Sequence, residues 1–269
     1  MGWRPAGRVT KVSTIMAEPT WVSRHTGETY DIVAQYDRTH VVTAVYGIIT
    51  AGILVVAARR VNGQPLEMVL RRVIGLVYGV SALVYFAYIL RRDRVVYDET
   101  LPFHFTDVLR VITPLSIATG DDRAVSLSFY WGFILNSMAI LSPDAAWVAD
   151  RRVQETAYWG FHWGAIIVPI MMTFGFGYRP TWQAFYQVVP FTIGWSALAS
   201  VANVVTGGNY TFTARKPRGA SALDYLGPWP VYIIAGSSLI VSAWAGMTWW
   251  SDTSGAGGRL SRRGLLRRV

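Results

Sequence analysis

Residues 101–120 read LPFHFTDVLRVITPLSIATG, a run with the length and apolar content of a membrane helix that also carries His104, Thr106, Asp107 and Arg110. An apolar stretch of about 20 residues crosses a hydrocarbon core of roughly 30 Å. A charged group at the centre of such a helix costs about 2.5–3.5 kcal/mol on insertion scales, so it faces a protein interior or a wet cavity. The segment therefore implies other helices around it.

The rest of the chain supplies them. Of 269 residues, 52% are hydrophobic and only 15% charged, with 12 Trp and 14 Tyr; soluble domains carry roughly 25% charged residues. Seven apolar segments are predicted to cross: 40–58, 73–90, 101–119, 124–142, 157–177, 184–205 and 228–250. The fold class is all-α, a polytopic bundle of about seven transmembrane helices in one domain, 39–250. Residues 1–38 read as a poorly ordered lead-in without the apolar core of a signal peptide, and Met16 offers an alternative start. Residues 251–269 form a basic tail.

Charge narrows the partners. The net charge is +9, yet the basic residues sit at helix ends, with four Arg in 59–72 and five in 259–269. Such clusters mark cytoplasmic flanks, so the expected partners are membrane lipids and not nucleic acid. They favour an outside N-terminus and an inside C-terminus. Only Lys11 and Lys216 are lysine among 25 basic residues, a bias of GC-rich bacterial genomes, so the expected location is a bacterial plasma membrane. Cysteine is absent, which excludes disulfides, thiolate metal sites and a cysteine nucleophile.

Threading seven helices back and forth brings the polar groups to one leaflet. His40 opens the first helix, His104, Thr106 and Asp107 the third, and Tyr158 and His162 the fifth. Asn136 lies near the end of the fourth, Asn203 near the end of the sixth, and the loop 207–230 follows on the same side. Interhelical hydrogen bonding, worth about 0.6–2 kcal/mol, accounts for any one of them. Asp107 and Arg110 can neutralise each other. The convergence of all points to a cavity.

Helical geometry suggests roles. His104 and Thr106 fall on opposed faces, whereas Tyr158 and His162 share one at i, i+4. A threonine hydroxyl needs an adjacent base to act as a nucleophile, and His162, at similar depth, is the candidate. Asp107 or His104 would orient the base by the logic of a catalytic triad, and Arg110 would hold a phosphate or a developing oxyanion. Arg215, Lys216 and Arg218 form a basic patch suited to anionic head groups or serve as an ordinary positive flank. Trp229 reads as an interfacial anchor. Haem would require facing histidines, which His104 and His162 alone could offer; no second pair or motif supports it, and no cofactor or metal is expected.

A His opening helix one, LPFHFTD opening helix three, FHWG in helix five and GGNYTF…KP…LGPWP before helix seven together resemble the YwaF-type bacterial integral membrane proteins, over roughly 30–250. That family looks related to a mammalian transmembrane acyltransferase acting on phospholipids, and more distantly to the androgen-induced membrane hydrolases, which cleave fatty-acid esters with a Thr and a His. The resemblance implies Thr106 at the nucleophile position and His162 at its partner. His40, Asn209 and Tyr210 match family positions without an assigned role, and the substrate-binding set adds Arg110, Tyr158, Arg215 and Lys216. Members often carry Cys where this chain has Thr106, so a thioester intermediate is excluded here: either the chemistry runs through a threonine ester, as in the androgen-induced hydrolases, or this member does not catalyse it. Two readings stand: an enzyme transferring or hydrolysing lipid acyl esters, or a non-catalytic transporter, channel or assembly factor with a polar cavity. Against a transporter, the sequence has no inverted repeat and no paired interrupted helices.

Overall fold

A computed structural model describes residues 19–253. Seven helices carry the fold: α1 (Arg38–Val61), α2 (Pro65–Ile89), α3 (Phe105–Thr119), α4 (Asp122–Leu141), α5 (Arg151–Ile170), α6 (Trp182–Thr206) and α7 (Val231–Thr253). All seven predicted segments are helical. Five of them are long and apolar enough to cross a membrane. The other two, α3 and α5, are the short or polar members of the seven-helix bundle. α3 has 15 residues, about 22 Å at 1.5 Å per residue, and α5 carries Arg151, Arg152, Gln154, Glu155 and His162. These two short or polar helices hold most of the proposed reactive groups.

Local chemistry sets the helix ends. The Asp37 side chain accepts from the His40 N–H and opens α1, while Pro65 occupies the first position of α2, where its missing donor costs nothing. Asp121, Asp150 and Thr181 cap α4, α5 and α6 in the same way. α3 and α6 stop at Gly120 and Gly207, whose φ values of 69° and 74° lie in the left-handed region that glycine enters without strain. A π turn at Trp131–Leu135 interrupts α4, and another at Met171–Gly175 extends α5.

The core is built around α3, α4 and α5. Leu109, Ile117, Tyr130, Trp131 and Met171 are fully buried, together with Trp244 of α7. Close approach depends on glycine. The Gly47 position of α1 lies against the Trp163 ring, and Gly132 of α4 against the Ala165 carbonyl. The outer faces of α1 and α2 expose Ile48, Ile49, Ile53, Leu76, Leu83 and Val84. An apolar surface so extended fits lipid and not water.

One end of the bundle carries a cap. Two short strands, β1 (Thr20–Val22) and β2 (Thr29–Asp31), pair antiparallel, and Ile32 bridges to Ala146. The lead-in expected to be poorly ordered is thus folded from residue 20 onward, because it finds polar partners there. Ser23 Oγ donates to Asp98 at 2.8 Å, and the Trp147 N–H donates to the Asp31 carbonyl at 2.8 Å. Residues 1–18 and the basic tail beyond 253 lie outside the described residues. The segments 90–104, 142–150 and 207–230 complete the cap.

Candidate functional site

Beneath the cap lies a cavity of about 480 Å³. Its wall includes His104, Thr106, Asp107, Arg110, Tyr158 and His162, all six singled out from the sequence. α3 and its N-cap His104 supply the first four within less than two turns, and α5 the last two. Two elements distant in sequence are needed to bring them together.

His162 is 3% exposed. Its Nδ1 lies 2.6 Å from the Tyr158 carbonyl oxygen. A carbonyl only accepts, so Nδ1 carries the proton and Nε2 keeps a lone pair. The Tyr158 ring packs on the imidazole at 4.1 Å between centroids, and its hydroxyl donates to the Ala139 carbonyl at 2.7 Å. Asn136 fixes the backbone of His162 through Nδ2 at 2.8 Å from the carbonyl oxygen. Orientation of this histidine therefore comes from backbone and ring stacking. Neither Asp107 nor His104, the two residues expected to orient it, hydrogen-bonds to His162 in this structure.

Asp107 serves α3 itself. One carboxylate oxygen accepts from the His104 N–H at 2.9 Å, and the other pairs with Nη1 of Arg110. His104 Nδ1 accepts from the Thr211 N–H at 3.3 Å, tying α3 to the cap. The Arg110 guanidinium lies between aromatic faces, 5.0 Å from Tyr85 and 5.2 Å from Phe161. Its Nε is buried with no acceptor among the described residues. Thr106 Oγ1 makes no hydrogen bond to another described residue, and it makes none to His162.

The other predicted binding residues have structural tasks. His40 stacks on Tyr36 and Trp159 at 5.3 and 4.9 Å and accepts from the Tyr36 N–H; it is absent from the cavity wall. Tyr210 is fully buried and donates to the Tyr97 carbonyl at 2.6 Å. Burial raises its phenol above the ordinary tyrosine value, keeping it a neutral donor. Asn209 ties together the 207–216 turn through the Arg215 N–H and the Lys216 carbonyl. Arg215 donates to the Gly207 and Gly208 carbonyls, and Lys216 to the Asp224 carbonyl. Burial, followed by the charges of Arg24 and Arg218, lowers Arg215 from its usual value. None of these residues lines the cavity.

Sequence reasoning did not single out Glu99, Asp144, Trp147 or Ser221, all of which line it. Arg218 joins two of them, with Nη2 donating to Glu99 at 2.9 Å and Nε donating to Asp144. Burial alone would lower the Arg218 guanidinium; the two carboxylates outweigh it and hold it above the ordinary arginine value. The Trp147 Nε1 and Ser221 Oγ atoms are buried without partners among the described residues. The acidic residues of the SPD turn and of residues 98–99 were visible as loop charges, but no spacing linked them to Arg218.

The fold and cavity define a helical membrane protein with several apolar helices and, under an ion-paired cap, a cavity whose largely apolar wall carries a few polar groups. The family model of the TMEM164 family matches residues 35–248, and the chain belongs to that family. No curated protein and no solved structure matches it.

Proposed function

We propose that this protein is a membrane enzyme acting on acyl esters of lipids, by transfer or hydrolysis, with Thr106 as nucleophile and His162 as general base. What supports the reading is one convergence: an unpartnered hydroxyl on α3, an imidazole on α5 whose Nε2 keeps its lone pair, and an arginine with spare donors share one cavity. The family resemblance described above, with the acyltransferases and Thr/His hydrolases it points to, agrees with it. Catalytic hydrogen bonds are often unformed without substrate, so the absent Thr106–His162 bond does not count against the pair.

In this mechanism Thr106 Oγ1 attacks the ester carbonyl carbon and its proton passes to His162 Nε2. Arg110 donates to the oxygen that gains negative charge. As the intermediate collapses, the ester C–O bond breaks, the leaving alkoxide takes the proton from His162, and an acyl-threonine remains with a lysolipid. A hydroxyl from water or a second lipid then attacks the acyl-threonine, His162 takes the proton of that hydroxyl, and Thr106 leaves with it. Water gives a fatty acid, and a lipid hydroxyl gives a transferred acyl chain.

Purified protein in mixed micelles with labelled phospholipid and lysophospholipid, read by lipid mass spectrometry, tests this. Thr106→Ala and His162→Ala are each expected to lower turnover by roughly 100-fold or more while leaving the fold intact. An inactive wild type, or full activity in Thr106→Ala, overturns the assignment.

A further inference from the structure

We infer that the cavity takes its lipid sideways: one acyl chain enters between α6 and α7, past Ile193 and Ser237, and ends against Trp244. The role given to that chain rests on the proposed acyl-ester chemistry; its path rests on the geometry of the two helices.

The α7 wall of the cavity is a stripe at helical spacing, from Ile233 through Gly236, Ser237 and Ile240 to Trp244. At 1.5 Å per residue this stripe runs about 16 Å along the helix, far deeper than a head group reaches. Ile193 on α6 faces the same cavity, yet it is 65% exposed. Ser237 likewise lines the cavity and is exposed. Residues that belong to a cavity wall and to the outer surface at once mark an opening in that wall. Around the opening, Phe191, Leu198, Ile234 and Leu239 expose apolar side chains on two helices apolar enough to span the bilayer. What meets the opening is hydrocarbon, and the only abundant object of that chemistry is a lipid tail.

The alternative entrance is covered. The Arg218 links to Glu99 and Asp144 draw the cap segments together over the polar end, and the turn Ala222–Leu226 lies against Gly236. The deep end is also closed. Trp244 is 1% exposed, its Nε1 donates to the Tyr130 carbonyl at 3.0 Å, and its ring packs on Tyr130 at 5.5 Å. A side chain held at both its nitrogen and its ring does not move aside. Trp244 thereby sets how long a chain fits, and the reacting carbonyl is left at the polar end beside Thr106.

The test uses the full chain in lipid nanodiscs containing a phosphatidylcholine whose acyl chain bears a diazirine near its terminus. Light-induced adducts are mapped by mass spectrometry in the wild type, Thr106→Ala, Ser237→Trp, Ile193→Trp and Trp244→Ala. In the wild type and Thr106→Ala, adducts are expected on the inward stripe, at Ile240 and Trp244. Ser237→Trp and Ile193→Trp, on opposite sides of the opening, each remove those adducts while outward Ile234 stays labelled, so misfolding of one variant leaves the other. Trp244→Ala moves adducts onward to Tyr130. Wild-type adducts confined to outward residues, or inward adducts that survive both tryptophan substitutions, overturn the path. Labelling requires no turnover. Inward adducts in a protein without activity would leave the path standing and remove the enzyme reading, whereas turnover without inward adducts would do the reverse.

Discussion

Asp107 and Arg110 occupy neighbouring turns of α3 with side chains 9% and 11% exposed, and the carboxylate also accepts from the His104 N–H. An ion pair this deep is costly to assemble and more costly to break from one side, because the survivor is left charged and unpaired. Asp107→Ala should therefore lower stability by about 3–5 kcal/mol, seen as a fall in the thermal unfolding midpoint of the detergent-solubilised protein. Adding Arg110→Met removes the stranded charge and should recover most of that loss. If the single and double variants melt alike, the pair does not hold α3. The pairing at i, i+3 was readable from spacing alone. The use of the Tyr158 carbonyl to set the His162 tautomer was not, since a backbone acceptor leaves no mark in the identity of the residue that provides it.

At the scale of the helices, contact is decided by where side chains are missing. A Cβ at Gly132 would run into the Ala165 carbonyl oxygen, and both partners are backbone in the centre of packed helices. Gly132→Ala is expected to cost about 1–3 kcal/mol through overpacking. Gly194, on exposed α6, has nothing within reach of an added Cβ, so Gly194→Ala should be neutral or gain about 0.5–1 kcal/mol from reduced backbone freedom in the unfolded chain. Thermal unfolding of the two variants side by side checks the contrast; equal effects would mean that α4 and α5 are not in contact at this point. Hydropathy located every helix to within a few residues except the starts of α2, which Pro65 places earlier, and of α5, which opens at Arg151 behind the Asp150 cap. α3 and α5 keep the helical period while giving up length or apolarity, and both line the cavity.

For the whole molecule, the decisive feature is the cap. Arg218 joins residues 99 and 144 across 119 and 74 positions of sequence, and the Ala146 N–H donates to the same Glu99 carboxylate at 2.7 Å. Arg218→Gln removes hydrogen bonds to two charged groups, each worth about 1.5–3 kcal/mol. The Asp144 side chain, 3% exposed, would be left facing Glu99. Amide hydrogen exchange at Ala146 and Trp147 should accelerate in that variant while the cores of α4 and α5 keep their protection. Uniform acceleration would show that the cap is continuous with the bundle.

The sequence by itself determined that the chain is a helical membrane protein, which helices it forms, and that Thr106, Asp107, Arg110, Tyr158 and His162 share one end of the bundle. Those properties follow from composition, from a 3.6-residue period and from the alternation of direction at each loop, all of which are local or additive along the chain. Only the tertiary structure decided that Asp107 pairs within α3 without a hydrogen bond to His162, that Arg215 and Lys216 hold their own loop, that residues 20–31 join the cap, and that the α7 stripe from Ile233 to Trp244 lines the cavity. Each of these depends on which groups separated by tens of residues come within about 3 Å, the reach of a hydrogen bond, and no period or composition encodes that meeting.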